Sequence, residues 1–357
     1  MSSATDDRLA GRVTASDDEH GGDLAAHPGV RLDFSVNVNP LGVPAPVVEA
    51  ISAGLGGIQH YPDPRCRALR RALAVYHGVS PRQIVCGNGA ADLIYRVVAA
   101  TRPRRVLTFA PTFSEYERSA RSCGAEVVRH QLAAPLFDVT AAALDAITGG
   151  TDLVFCCQPN NPTGRLIDPG LLIDLIEATR KVGARLVVDE CFLPFTQAAS
   201  LIPGLPPHVV VIRAFTKTHG LAGLRLGYAV CGSEALARAL AETGPSWNVS
   251  SLAQTAGLAA LKLPDWDEQT RAVTDRERGW LAGELTALGL AVVPSQANFL
   301  LFRSPVDLFA PLLARGVLIR SGANFAGLDG SWFRVGLHQH ADNAVLVAML
   351  TEVLNGC

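Results

Sequence analysis

The sequence predicts an α/β fold, with a large domain built on a mixed, mostly parallel sheet covered by helices and a smaller C-terminal α+β domain. Three observations predict it. Between about residues 80 and 230, short apolar runs alternate with helix-like stretches, the pattern of a parallel sheet buried on both faces. After about residue 270 the alternation gives way to one long amphipathic stretch and a few strand-like runs. Gly89, Phe113, Asn161, Asp189 and Lys217 all fall at or just past the end of a predicted strand. In open α/β sheets that edge is where ligands sit.

At 357 residues the chain is long enough for two subdomains. A formal net charge of −2 and 48% hydrophobic residues describe ordinary enzyme composition, without a basic field for nucleic acid. No apolar run reaches membrane-spanning length, and the polar, acidic N-terminus is unlike a signal peptide. A cytoplasmic location is the expectation. The eight cysteines form no C-x-x-C pair and mostly sit in apolar runs. They read as buried, reduced thiols, and neither disulfides nor a metal site is expected. Cys191, beside Asp189, reads as a small packing residue.

In chain order, residues 1–19 lack apolar periodicity and are expected to be a mobile tail. Residues 20–44 read as an N-terminal arm. His20-Gly21-Gly22 permits close backbone approach to a ligand. In DFSVNVNPLG (33–42), alternating Phe34, Val36 and Val38 predict a short strand with Asn37 and Asn39 on its other face. Folded over a site, the arm would set His20 and Asn37 on a substrate; otherwise it is a turn-rich lead-in. A large domain is expected over 45–270. YPDP (61–64) turns into a helix at about 65–77, closed by Gly78. QIVC (83–86) is a strand, and Gly87-Asn88-Gly89 opens a helix over 90–100. The free N–H groups of Gly89 and Ala90 then make an anion site.

RVLTF (105–109) is a strand ending at PTFSEY (111–116), where Phe113 can offer a flat face. DLVFCC (152–157) is a strand entering QPNNPTG (158–164). Asp168, Pro169 and Gly183 bound a helix. ARLVVDE (184–190) delivers Asp189 at a strand end, and VVVI (209–212) delivers Lys217. A small domain over 271–357 is expected to pack with the arm. It comprises a long helix at about 265–288, strands at ANFLLF (297–302), GVLIRSG (316–322) and WFRVGL (332–337), and helices near 305–315 and 341–355.

Lys217 and Arg225, eight residues apart, can put an amine and a guanidinium into one cleft. Pyridoxal 5'-phosphate (PLP) chemistry uses both: the amine condenses with the cofactor aldehyde, and the guanidinium holds its phosphate. The other parts such a site needs are present. Asp189 can keep the pyridine nitrogen protonated, the Asn161 amide suits the phenolic oxygen, Phe113 suits the ring, and Gly89 and Ala90 suit the phosphate.

NNPTG (160–164), VVDE (187–190), TK (216–217) and GLRLGY (223–228) stand in the order seen in the class I/II aminotransferases. From residue 20 onward the chain resembles a fold-type I PLP enzyme of that group. Within it, His20-Gly21-Gly22, DFSVNVNPLG, GNG (87–89), IRSGANFAGLD (319–329) and FRV (333–335) look most like the L-threonine-O-3-phosphate decarboxylases of cobalamin biosynthesis. Histidinol-phosphate aminotransferases are close relatives. The resemblance implies that Arg334 binds a substrate α-carboxylate and that Asn161 also serves the substrate. It implies that Arg320, with His20 and Asn37, holds a substrate phosphate. It also implies a homodimer in which Tyr61 reaches the partner's cofactor phosphate. Ala214 stands where the group usually has serine, Ser250 stands near a usual asparagine, and LHQH (337–340) is unusual for the group.

The reaction the resemblance implies is decarboxylation of threonine phosphate to 1-amino-2-propanol phosphate. The alternative is amino transfer with 2-oxoglutarate and glutamate. A PLP-binding regulatory protein would carry a DNA-binding segment, for which the tail is too short. A dinucleotide-dependent oxidoreductase would carry G-x-G-x-x-G after its first strand, and this chain has none there.

Overall fold

The computed structural model describes residues 20–356; the expected tail over 1–19 and Cys357 lie outside them. The arm carries β1 (Leu32–Asp33), which pairs in parallel with Val317–Leu318 far along the chain. Two helices follow, α1 (Ala45–Gly54) and α2 (Arg67–His77). The second stops at Gly78, whose φ of 66° is the left-handed cap that glycine accepts without strain. Next come β2 (Ile84–Gly87), α3 (Gly89–Thr101), β3 (Arg105–Ala110), α4 (Glu115–Ser122), β4 (Glu126–Gln131) and β5 (Leu153–Cys157). Helix α5 (Pro169–Val182) starts under the Asp168 carboxylate, which accepts from the Gly170 and Leu171 N–H groups at 2.9 and 3.1 Å. It ends at Gly183, as the sequence predicts. Then come β6 (Arg185–Asp189), β7 (Val209–Ala214), the one-turn helix α6 (Phe215–Thr218), β8 (Gly227–Cys231), α7 (Glu234–Glu242) and α8 (Ser251–Ala260).

The seven strands from β2 to β8 make one sheet, ordered β2-β8-β7-β6-β5-β3-β4. All run parallel except β8, which is antiparallel to both neighbours. Helices cover both faces, so the strand side chains alternate between two buried cores. Leu107, Val154, Leu186 and Val211 point into one; Val106, Phe155, Val187 and Val210 point into the other. This explains runs such as VVVI that show no polar alternation. Strand β8 is not among the strands expected from sequence, because GYAVC continues the GLRLGY motif. β4, with a largely exposed pattern at the sheet edge, has no comparable apolar signal.

Beyond the sheet lie α9 (Trp266–Ala287), β9 (Ala291–Val292), β10 (Phe299–Arg303), α10 (Phe309–Ala314), β11 (Val317–Leu318), β12 (Arg320–Ser321), β13 (Trp332–Gly336) and α11 (His340–Asn355). The strands β12-β13-β10-β9 form an antiparallel sheet. A third core, with Leu281, Leu300, Phe302, Phe333 and Leu350, packs there, and Phe34 of the arm belongs to it. The division expected at 270/271 falls within the first turns of α9.

Two expectations need correction. Residues 34–38 are not a strand. Their backbone partners are scattered: Phe34 donates to Leu318 at 2.8 Å and accepts from Gly336 at 2.8 Å, while Asn39 donates to Lys217 at 3.1 Å. A segment shared among three elements cannot build one ladder. GVLIRSG is not one strand either; it breaks at Ile319 into β11 and β12, which join different sheets. All seven described cysteines are free, and Cys123 is exposed, unlike the others. Among the described residues no helix is long and apolar enough to cross a membrane, and no cluster of His, Cys, Asp or Glu is arranged to hold a metal.

Beneath the sheet's carboxyl edge, Glu190 is fully buried and accepts from Arg213 at 3.0 Å, from the Ser200 hydroxyl at 2.6 Å and from the Leu201 N–H at 2.9 Å. Removing one partner of such a pair strands a buried charge. Glu190→Gln is therefore expected to lower unfolding stability by about 3 kcal/mol, read from urea denaturation.

Candidate active site

Strand ends of the parallel sheet deliver the central groups. Asp189 ends β6, and its carboxylate accepts from the Tyr116 hydroxyl at 2.8 Å and the Cys191 N–H at 2.9 Å. Burial pushes this carboxyl above the usual carboxylate range; the Cys191 and Tyr116 hydrogen bonds and the Lys217 charge oppose the shift without cancelling it. Lys217 sits in the turn of α6 just past β7, its Nζ 5.7 Å from the Phe192 ring centre. Burial, then the nearby Arg334 charge, pushes its amine from 10.5 down to about 8.

The chain returns from α6 along β8, so the hairpin-like tip carries both Lys217 and Arg225. Gly227 begins β8 against the start of α3: a Cβ there would lie 2.9 Å from the Ala90 nitrogen. Gly89, at φ +82°, faces Arg225, and a Cβ there would lie 2.7 Å from Arg225 Nη2. Glycine at both places brings a guanidinium against the helix N-terminus, the paired donors an anion needs.

Opposite Lys217, the antiparallel sheet supplies two arginines. Arg320 on β12 and Arg334 on β13 are direct cross-strand partners. Arg334 donates to Asn161 Oδ1 at 2.5 Å and to the Ser35 carbonyl at 2.6 Å, with Phe299 beneath it at 5.6 Å. Its buried Nε has no partner. Burial and the Arg320 charge push this guanidinium down to about 9, which still leaves it charged at neutral pH. Arg320 donates to Asn324 at 2.7 Å and lies over Phe325 at 5.3 Å. Like charges placed directly opposite in a sheet repel, so the pair is a site prepared for anions.

These groups line one cavity of about 430 Å³. His20, Asn37, Ala90, Phe113, Asn161, Asp189, Lys217, Arg225, Arg320 and Arg334 all border it. Asn37 is buried, and its side-chain oxygen has no partner. Gly89 stands just behind Arg225. Tyr61 is elsewhere on this chain: it is 82% exposed and packs against Trp247 at 4.8 Å between ring centres, the rings tilted by 36°. Tyr116, Glu115 and Phe192 also border the cavity and were not singled out from sequence. Tyr116 follows Phe113 at helical spacing, a signal that could have suggested one shared face. Cys191 packs as expected and also lends its N–H to Asp189. The group's departures have local roles here. Ser250 caps α8 by accepting from Ala253 at 3.1 Å, and His338 contacts the Asp33 carbonyl at 3.0 Å.

A model of aminotransferase class I and II matches residues 30–350. The chain belongs to the class I and II aminotransferase family. It is 37% identical over 352 residues to a threonine-phosphate decarboxylase of Salmonella typhimurium, covering 94% of this chain and 97% of that one. It is 36% identical over 334 residues to a histidinol-phosphate aminotransferase of Nitratidesulfovibrio vulgaris, covering 90% and 88%. The crystal structure of the histidinol-phosphate aminotransferase from Clostridium acetobutylicum superposes with a TM-score of 0.85 at 28% identity, covering 91% of this chain and all of that one. The protein is thus a PLP-dependent enzyme.

The residues present fit that cofactor. Asp189 is a buried carboxylate with no cation hydrogen-bonded to it among the described residues, as a pyridinium partner requires. The Gly89–Ala90–Arg225 corner suits a phosphate, and the Lys217 amine is close enough to neutral to be a nucleophile. When bound, PLP supplies an electron sink for the bond broken at the substrate α-carbon. Because the neutral amine condenses, cofactor uptake by the apo protein should quicken as pH rises through about 8 rather than 10.5. Arg334→Gln removes a like charge, so that midpoint should move up; stopped-flow absorbance reads both. Lys217→Ala should abolish the near-visible band of the loaded enzyme.

Proposed function

We propose that this enzyme decarboxylates a small phosphorylated amino acid, with O-phospho-L-threonine as the best-fitting substrate. The product would be 1-amino-2-propanol phosphate, in keeping with a step of cobalamin biosynthesis. The observation that carries the reading is the opposed pair Arg320 and Arg334 in one small cavity. Two guanidiniums side by side ask for two anionic groups on one ligand. An amino acid bearing a phosphate has both, and histidinol phosphate, which lacks a carboxylate, has one.

In this reading Arg334, oriented by Asn161 and the Ser35 carbonyl, binds the α-carboxylate through two N–H groups. Arg320, His20 and Asn37 hold the phosphate. Anchoring both ends fixes rotation about the α-carbon and so selects the bond to be broken. Loss of CO2 leaves an electron pair on that carbon, and in this reading Lys217 in its ammonium form returns a proton there and becomes the neutral amine. The relative from Salmonella typhimurium, named a threonine-phosphate decarboxylase, supports the same reading. A homodimer belongs to it as well. The exposed Tyr61, paired with Trp247, would reach the cofactor phosphate of the partner copy.

The second reading, amino transfer, rests on the histidinol-phosphate aminotransferases among the relatives. One assay separates them. The loaded enzyme is given O-phospho-L-threonine, and separately histidinol phosphate with 2-oxoglutarate. CO2 and aminopropanol phosphate without glutamate are expected. Glutamate without CO2 would overturn the decarboxylase reading.

A further inference from the structure

Against a cavity that gathers Arg118, Arg225, Arg320, Arg334 and Lys217, one wall carries a carboxylate, Glu115. Its side chain is only 10% exposed. A buried anion beside an anion-binding site weakens that site unless it organises something else. Glu115 sits in the first turn of α4, one residue before the Tyr116 that binds Asp189. It contacts His20 Nε2 at 2.8 Å and lies 3.6 Å from Arg118. Burial raises its carboxyl, but the hydrogen bond and charge of His20, the Arg118 charge and the Tyr95 hydroxyl outweigh burial, so it is held below the usual range.

His20 begins the described arm, and the arm's next contacts lead to the arginines. Gly21 lies so close to Ser35 that a Cβ would sit 2.2 Å from the Ser35 carbonyl oxygen. The Gly22 N–H donates to the Ser35 hydroxyl at 2.8 Å. The same Ser35 carbonyl receives Arg334 Nη2, and two residues on, Asn37 enters the cavity. From Glu115 to Arg334 the chain of contacts is continuous: carboxylate, imidazole, glycine pair, serine carbonyl, guanidinium.

We infer that Glu115 is a positioning residue that bolts the N-terminal arm across the cavity through His20, and thereby sets the affinity for the substrate's phosphate. Glu115 touches neither substrate nor reacting atoms. It fixes which way the His20 ring faces and where Asn37 and the Ser35 carbonyl stand. The inference rests on the phosphorylated-substrate reading above and adds a residue that the anion-binding groups depend on.

The test uses the full-length, PLP-loaded protein and four variants: Glu115→Ala, Glu115→Gln, His20→Ala and the Glu115→Ala/His20→Ala double. O-phospho-L-threonine is the probe, and L-threonine is the control without phosphate. Loss of one charge-assisted hydrogen bond should weaken phosphothreonine binding by about tenfold in Glu115→Ala. Glu115→Gln, which keeps an acceptor, should recover part of it. L-threonine binding, which lacks the phosphate contacts and depends on the arm only through the Ser35 carbonyl at Arg334, should weaken far less, and an unchanged urea midpoint reports an intact fold. KM should rise far more than kcat falls. The double variant should be no weaker than His20→Ala alone, because the two residues act as one unit. Trypsin cleavage at the exposed Arg31 should quicken in Glu115→Ala, a readout of arm order independent of turnover. Additive losses in the double variant, or unchanged phosphothreonine affinity in Glu115→Ala, would overturn the inference while leaving the substrate reading in place. A wild-type enzyme that binds threonine and phosphothreonine alike would overturn both.

Discussion

The repulsion between Arg320 and Arg334 is the constraint around which the rest of the cavity is arranged. Their cross-strand register sets two cations abreast in a half-dry space, and neither can swing into water. Asn161 and the Ser35 carbonyl accept from Arg334, the Asp33 charge favours its cationic form, and Asn324 and Phe325 lie against Arg320. A ligand with two anionic groups, as proposed above, would relieve the repulsion between the pair.

The opposite wall carries the mirror problem. Asp189 is a buried carboxylate steadied by a hydroxyl and an N–H, both neutral donors. Lys217 is a buried amine pushed toward neutrality first by burial and then by the Arg334 charge across the cavity. The Arg334 guanidinium therefore contributes to tuning the amine as well. The single antiparallel strand β8 makes this compact. By turning the chain back beside β7, it lets one connection supply both Lys217 and Arg225, and it sets Arg225 against the start of α3.

Much of this was legible in the chain itself. Strand-end placement of Gly89, Phe113, Asn161, Asp189 and Lys217 follows from apolar runs and caps, which are local signals. All five stand at or beside one cavity. What was not legible depends on distant contacts. The stretch Phe34–Val38 alternates like a strand, yet its backbone partners come from three elements, so the local period misleads. Glu115 looks like an ordinary charge in the first turn of a helix, and only the folded arm gives it a partner 95 positions away. Ile319 looks like the middle of a strand, but the two halves of that run pair with different sheets. Local pattern reports which residues are buried; it does not report which neighbour buries them.

The arm described here has a mechanical meaning as well. Phe34 is embedded in the core of the antiparallel layer, and the Asn39 N–H is fastened to the Lys217 carbonyl. The Asn39 side chain is fastened to Thr218 and Thr270 too. Five peptide units separate the two anchorages, a tether of about 17 Å at full stretch. The arm is therefore a short strut between the layer that carries the two arginines and the turn that carries the lysine. If one layer tilts, the strut pulls on the other, and the distance between the anion-binding wall and the amine is set by chain length as much as by packing.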